Sequence, residues 1–336
     1  MRAAQIQAYG PPEVLQVEEV PAPPTPGPRD LLVDVRASSV NPIDYKIRNG
    51  GQRALIHYKL PWILGLDFSG VVTAVGKRVT RFRVGDEVYG SPTHRRPGAY
   101  AEQMLVDERQ AGRKPSNMSH QEAASIPLVG QTAWEALVIK GRVEAGHKVL
   151  IHAGSGGVGT FAIQLAKSLG AYVATTCSER NAELVRSLGA DEVINYRETK
   201  FEDVLQDYDY VLDAIGGETR ERSFRVLKRG GRLATMIGGF PAATKKYGAW
   251  RGAPIALVGL ISLSLRGSLR HGVSVHHILR EPNGRLLDPI TRRIESGEIK
   301  AVIDQVFALD RVAEAHAYIE TGRARGKIVI DTASAA

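Results

Sequence analysis

The sequence predicts an α/β protein of two domains: a β-rich, barrel-like unit and a doubly wound parallel sheet with helices on both faces. Three observations carry this. The chain has 336 residues, beyond the ~250–300 at which single cores stop growing. Short strands punctuated by Gly and Pro dominate the first third. From about residue 124 strands and helices alternate.

Leu31, Val33, Val35 and Ala37 alternate with Leu32, Asp34 and Arg36, the period of a strand. Residues 21–28 hold five prolines and one glycine and must form a loop. Residues 68–75 and 85–90 read as further strands. Residues 149–152 then read as a buried strand, and Val158, Ala162, Leu165, Ala166 and Leu169 fall at helical spacing. The alternation continues with a strand at 172–176, a helix at 181–188 and a strand at 192–195. It runs on through a strand at 210–213, a helix at 220–227 and a strand at 232–237. The tail reads as a helix at 309–321 and a strand at 327–331, with nothing local to say which domain it joins.

Composition sets limits. Hydrophobic residues at 43% and charged residues at 24% are ordinary for a globular protein and exclude disorder. The single cysteine, Cys177, excludes an intramolecular disulfide framework and any cysteine-rich metal site. It fits a reducing compartment, and a cytoplasmic location is expected. Residues 1–10 read as a polar strand rather than a signal core. The longest apolar run, 255–265, is interrupted by Gly259, Ser262 and Ser264 and has about half the ~20 residues of a spanning helix. A buried or capping helix is the expectation there. Contact with a membrane surface is the alternative, because Arg266 and Arg270 follow. The net charge of +8 reads as a solvated basic surface, since no nucleic-acid module accompanies it.

The main chemical signal is Gly154-Ser155-Gly156-Gly157-Val158-Gly159, a G-x-G-x-x-G run between a strand and a helix. Gly154 permits a tight turn, Gly156 lets the backbone approach a pyrophosphate, and Gly159 lets helix and strand pack closely. The helix end at Gly157 and Val158 then offers free N–H groups to phosphate. No Lys-Ser/Thr pair follows, so a Walker loop is excluded. NAD-binding folds carry an Asp or Glu about 20 residues past the glycines. Here that place holds Ser178, with Glu179 one residue late and Arg180 next. A hydroxyl and a guanidinium suit a 2′-phosphate, so NADPH is favoured. Arg180 as a solvent-facing helix residue is the plainer reading. Tyr196 flanks the ribose phosphate or is a surface tyrosine. Gly216, Ile237, Gly238 and Gly239 would lie at the carboxyl ends of later strands, against the cofactor.

Here the chain resembles the medium-chain dehydrogenase/reductase superfamily. The segments Ser39 to Lys46 (SVNPIDYK), Gly65-Leu66-Asp67-Phe68-Ser69-Gly70, Val84 to Gly90 (VGDEVYG) and the glycine loop resemble the zinc-independent quinone oxidoreductases, above all the enone and alkenal reductases. The resemblance covers essentially the whole chain. It implies a GroES-like β-rich catalytic domain (1–123 and 300–336), a Rossmann domain (124–299), an active site in the interdomain cleft, a small-molecule quinone or enone substrate, and a homodimer. Zinc-bearing cousins have cysteine where this chain has Asn41, Gly-His-Glu where it has Gly65-Leu66-Asp67, and a third ligand at the place of Leu128. A catalytic zinc needs about three protein ligands, so no metal is expected. His271, His276 and His277 match no zinc spacing.

Asn41 and Lys46 are the expected catalytic donors, Asn41 facing the nicotinamide and Lys46 holding the substrate oxygen. The plainer readings are a turn residue and an exposed lysine. Asp44 is expected to anchor the turn. Thr132 and Lys327 are expected near the cofactor, Lys327 towards its phosphates. Tyr45, Trp62, Phe240 and Trp250 are expected to line the substrate pocket. The alternative function is an NADPH-binding protein without turnover that binds RNA or a partner.

Overall fold

The computed structural model describes residues 1–51, 53, 58–236 and 240–333, with the side chains of 252 and 254–333 in the last segment. The chain forms two compact units, one of Met1–Gln131 with Glu281–Ala336 and one of Thr132–Arg280.

In the first unit a seven-stranded sheet runs in the order Ile303–Ala308, Lys327–Asp331, Asp30–Val40, Phe68–Val75, Glu87–Gly90, Ala111–Arg113, with Gln103–Asp107 also paired to Asp30–Val40. Its strands pair antiparallel except Ile303–Ala308 with Lys327–Asp331. A second sheet joins Leu15–Glu19, Arg2–Ile6 and Trp62–Ile63. The alternation in Asp30–Val40 does what its period predicts. Leu31, Val33 and Val35 are buried against Phe68, Val72, Val88, Met104 and Val106. The last strand pairs Ile328 with Val40 and Asp331 with Ala37, so the tail closes onto the chain's first long strand.

The chain re-enters this unit at Glu281, not at residue 300. The cause is the helix Leu287–Glu295, whose Leu287, Ile290 and Ile294 recur at i, i+3, i+7 and are buried. Thr291 on the same helix meets the buried Tyr89 hydroxyl at 2.8 Å, and Asn117 Nδ2 donates to Ile294 O at 2.9 Å.

The second unit holds six parallel strands in the order Glu192–Asn195, Tyr172–Cys177, Lys148–Ile151, Tyr208–Asp213, Leu227–Thr235, Ser274–His277. Sequence order reverses at Lys148–Ile151, so the crevice beyond the carboxyl ends of Lys148–Ile151 and Tyr208–Asp213 is the place where such sheets bind ligands. Two expectations need correction. The strand near 232 begins at Leu227, and the preceding helix ends at Ser223. The apolar run after residue 255 is not a buried helix: it is the second half of the helix Phe240–Arg266, and Leu257, Val258, Ile261 and Leu265 are more than half exposed.

Candidate active site

The glycine loop joins the strand Lys148–Ile151 to the helix Gly157–Ser168. The turn's left-handed residue is Ala153 (φ 55°), not Gly154. Gly154 is required for space instead. A Cβ there would stand 2.0 Å from Thr175 Oγ1, and one on Gly159 would stand 2.3 Å from Ala153 O. Gly156 differs: its Cβ would meet only Ala153 O, at 3.4 Å, so that face is open. Thr160 N donates to Gly156 O at 2.9 Å, and the N–H groups of Gly157, Val158 and Gly159 have no acceptor in their own helix. Open backbone, free donors and the positive end of a twelve-residue helix fit a dinucleotide pyrophosphate.

Side chains that the glycine pattern does not show brace this loop. Asn181, buried after the second strand, donates from Nδ2 to Ser155 Oγ at 2.9 Å. His152, immediately before the loop, is buried between Thr176 Oγ1 (3.1 Å) and Ser223 Oγ (2.9 Å). Burial pushes its imidazole down to about 4, so it is neutral. On the next loop, Asp213 Oδ1 accepts from the N–H groups of Ile215 (3.0 Å) and Gly216 (2.7 Å), while Thr235 Oγ1 donates to Oδ2 (2.7 Å). Gly216 has φ 78°, a conformation that suits glycine. None of His152, Asn181 and Asp213 has a motif of its own. For His152 and Asp213 the sequence signal available was a polar residue at a strand's carboxyl end; Asn181, four residues past its strand, carried none.

Ser178 follows the strand Tyr172–Cys177, and Arg180 is exposed on the short helix Glu179–Asn181. Tyr196 N donates to Cys177 O at 3.3 Å, which brings Tyr196 and Ser178 to one edge. The tyrosine is 58% exposed, and the Arg197 guanidinium lies over its ring at 5.9 Å. Arg197 is a second cation at this edge that the spacing rule missed. Thr132 opens the unit and is buried. Ile237 and Gly238 lie outside the described residues, as do the side chains of Phe240 and Trp250.

In the other unit, the three places that bear zinc ligands in the cousins meet at one carboxylate. Asp67 is fully buried. Asn41 Nδ2 donates to its Oδ2 at 2.8 Å, Ser39 Oγ donates at 2.7 Å, and Leu128 N donates to Oδ1 at 2.7 Å. Lys327 brings a cation. Its Nζ donates to Asn41 Oδ1 at 2.6 Å, to Val40 O at 3.2 Å and to Asp67 Oδ2 at 3.4 Å. Burial pulls the Lys327 ammonium down from its usual range, and Asp67 opposes that shift. An amide, a leucine and a carboxylate already saturated with donors do not make a zinc site. Among the described residues no group of three His, Cys, Asp or Glu could hold a metal.

Two expectations are corrected here. Asn41 has no exposed surface and both ends of its amide are engaged, so it does not present a donor to substrate. Lys327 does not reach for phosphate, because its ammonium is spent on Asn41 and Asp67 in the first unit.

Lys46 stands on the helix Pro42–Arg48, which Pro42 starts with its fixed φ. Asp44 anchors it as expected, accepting from Asn41 N at 2.8 Å. Burial pushes the Asp44 carboxyl up to about 7. Arg48, 1% exposed, locks the other end through Glu320 (2.6 Å), His316 Nδ1 (3.3 Å) and Gly10 O (3.2 Å). Asp44, Ile47 and Arg48 share the inward face, at i, i+3, i+4. Tyr45 and Lys46 are half-buried off that face, and the Lys46 ammonium has no partner among the described residues. Trp62 packs its ring against Tyr58 at 5.1 Å and joins the core of the first unit.

Comparison with known proteins accords with this geometry. Residues 27–116 match the alcohol dehydrogenase GroES-like domain and residues 188–330 the zinc-binding dehydrogenase family. The human mitochondrial NAD(P)H oxidoreductase RTN4IP1 is 36% identical over 353 residues, covering 98% of this chain and 89% of that protein. The chloroplastic NADPH-dependent alkenal/one oxidoreductase of Arabidopsis thaliana is 35% identical over 340 residues, covering 98% and 79%. Among solved structures, the quinone oxidoreductase of Coxiella burnetii superimposes with a TM-score of 0.85 at 34% identity, covering 99% of both chains. The Escherichia coli quinone oxidoreductase complexed with NADPH gives 0.81 at 26% identity, covering 99% and 100%. The chain therefore belongs to the medium-chain dehydrogenase/reductase superfamily, as an NAD(P)H oxidoreductase of its zinc-independent quinone oxidoreductase and enone reductase branch.

Proposed function

We propose that the protein reduces the activated C=C of α,β-unsaturated carbonyls, or a quinone, with NADPH as reductant and Lys46 as the donor to the substrate oxygen. The observation that carries this reading is the saturated Asp67 site. Oxidising an alcohol needs a hydroxyl made acidic before hydride leaves, usually by a Lewis acid. Asn41, Asp67 and Lys327 offer no room for one. An enone or quinone needs none, because the electron pair released by hydride addition is delocalised as an enolate or phenolate. A single well-placed cationic donor stabilises that charge by a few kcal/mol.

Gly156, Gly157, Val158 and Gly159 would hold the pyrophosphate, with Gly154 giving the turn the room it needs against Thr175. Ser178, Arg180 and Tyr196 would hold the 2′-phosphate, which supports NADPH over NADH. Thr132, Gly216, Ile237 and Gly238 would flank the nicotinamide, and Tyr45, Phe240 and Trp250 the substrate. Bound NADPH supplies the hydride. Lys46 holds the acceptor oxygen and passes it a proton, which solvent replaces.

Lys46→Ala is expected to lower turnover of small enones at least tenfold, about 1.4 kcal/mol of transition-state stabilisation, with NADPH affinity and Tm unchanged. The check is a panel of quinones, alkenals and enones assayed with NADPH and NADH in parallel, with and without chelator. Full turnover by Lys46→Ala discards the lysine's role. Turnover lost to chelator discards the metal-free mechanism.

A further inference from the structure

The helix Pro42–Arg48 is too short to set its own direction. Isolated helices below ~12–15 residues are marginal in water, and this one has seven. Its inward face is Asp44, Ile47 and Arg48, all buried. At 3.6 residues per turn Lys46 lies roughly 200° round from Asp44, on the opposite side of the helix. What fixes the inward face therefore fixes the point from which Lys46 projects. At the amino end this is Asp44, accepting from Asn41 N at 2.8 Å. At the carboxyl end it is a side-chain clamp on Arg48, supplied from 272 positions further along the chain.

The clamp is the helix Val312–Glu320, whose His316 and Glu320 stand at i, i+4 on one face and both meet Arg48. Arg48 Nη2 donates to Glu320 Oε1 at 2.6 Å, Nη1 to His316 Nδ1 at 3.3 Å and Nε to Gly10 O at 3.2 Å. Gly10 N donates back to Arg48 O at 3.1 Å. A guanidinium can only donate, so His316 Nδ1 accepts and Nε2 carries the ring proton, which faces the Tyr100 hydroxyl at 3.2 Å. Burial, with Arg48 adding to it, pushes the His316 imidazole down to about 3, so the ring is neutral. Among the described residues Glu320 is then the carboxylate that balances Arg48, which is 1% exposed while Glu320 is 33% exposed. The same carboxylate is felt by Tyr45, next to Lys46, whose phenol burial and then Glu320 push above its ordinary value. We propose that Glu320, acting through Arg48, is a positioning residue for Lys46, holding the helix from behind so that the lysine meets the acceptor oxygen. This rests on the reading of Lys46 as the donor to that oxygen. Removing one partner of a buried pair leaves the other charge uncompensated, and a misplacement of about 1 Å in a group that meets the reacting atoms can cost about a hundredfold in rate.

The experiment is a double-mutant cycle on the full chain, reading kcat and the KM for NADPH with methyl vinyl ketone as the enone. Glu320→Gln keeps an acceptor for Arg48 and removes the charge. It should lower kcat about tenfold with the KM for NADPH unchanged, and amide exchange should show protection lost in 42–48 but kept in Asp30–Val40. Glu320→Asp, which keeps the charge at shorter reach, should lose about threefold. It takes the place of Glu320→Gln in the same cycle if circular dichroism shows that the glutamine variant does not fold. In the Lys46→Ala background either substitution should lower kcat less than about twofold further, because the group it positions is gone. A wild-type kcat in the folded variant overturns the proposal. So does an equal loss in both backgrounds, which a pair that only stabilises the fold would give. Both results leave the role of Lys46 standing. Full turnover by Lys46→Ala alone is a separate outcome, which discards the lysine as donor and the positioning role with it.

Discussion

The two ends of the proposed chemistry are built from different material. The dinucleotide end is made of backbone. At the pyrophosphate its working surface is the open N–H groups of Gly157, Val158 and Gly159, and the side chains around that loop brace it from behind. The catalytic end is made of side chains, with Asn41 and Lys327 buried around the Asp67 carboxylate and the helix bearing Lys46 set beside them. Backbone surfaces require small residues at fixed spacing, which leaves a mark in the sequence. A buried polar cluster requires complementary partners from distant segments, which leaves none.

Steric substitution tests the backbone end most severely. Gly154→Val would force its Cβ into Thr175, 2.0 Å from Oγ1, and no flexible chain end can yield there. Loss of the folded second unit, or destabilisation by more than about 3 kcal/mol, is the expected result in chemical denaturation. Gly156→Ala meets only an ordinary contact at 3.4 Å. It should leave Tm within a few degrees of wild type while weakening NADPH binding at least tenfold in a fluorescence titration. Equal damage to Tm from both changes would contradict the assignment of Gly154 to packing and Gly156 to ligand approach.

The side-chain end should break differently, through charge. Lys327→Met removes the cation from the fully buried Asp67, and breaking a buried pair in this way costs about 3–5 kcal/mol. Asp67→Asn with Lys327→Met removes both charges together and should recover most of that loss, since the neutral pair leaves no buried ion. A double-mutant cycle in urea reads the coupling. Additive effects would mean that the Lys327–Asp67 contact contributes nothing, and that Asn41 alone holds the cluster.

This contrast also accounts for what was legible in the sequence. The strands Phe68–Val75, Glu192–Asn195 and Lys327–Asp331 agree with their sequence periods to the residue, because alternation and glycine punctuation are local. The glycine loop was legible for the same reason, although its left-handed residue proved to be Ala153. Lys327 was misread because its role is set by Asn41, 286 positions away. Position near the end of the chain gave no hint of that contact. Asn41 was expected to face the nicotinamide from the place where the zinc-bearing cousins have a ligand, but its amide is consumed by neighbours that only the fold supplies. Helix Leu287–Glu295 went to the wrong domain because its apolar stripe says that it packs, not against what.

Acidification offers the mildest way to separate the two units. In the second unit His152, His276 and His277 are all held below the ordinary histidine value of 6.5, first by burial. The unfolded chain then binds more protons than the folded one below pH 6.5, so stability rises with pH and is lost as pH falls towards 4. His152 alone contributes up to about 1.4 kcal/mol per pH unit in that window. In the first unit His316, lowered to about 3, and His120 act in the same direction. Asp44 acts against them. Its folded carboxyl keeps a proton up to about 7, while the unfolded one releases it near 3.8, so its contribution is full below 3.8 and is lost as pH rises to 7. Between pH 4 and 6.5 the Asp44 and His316 slopes therefore cancel. Amide hydrogen exchange should show the strand Lys148–Ile151 losing protection on acidification while Asp30–Val40 changes little. Asp44→Asn removes the opposing slope and should make the first unit acid-sensitive as well. If both units lose protection in parallel in the wild-type chain, Asp44 does not carry a raised pKa and the buried cluster binds it as a carboxylate.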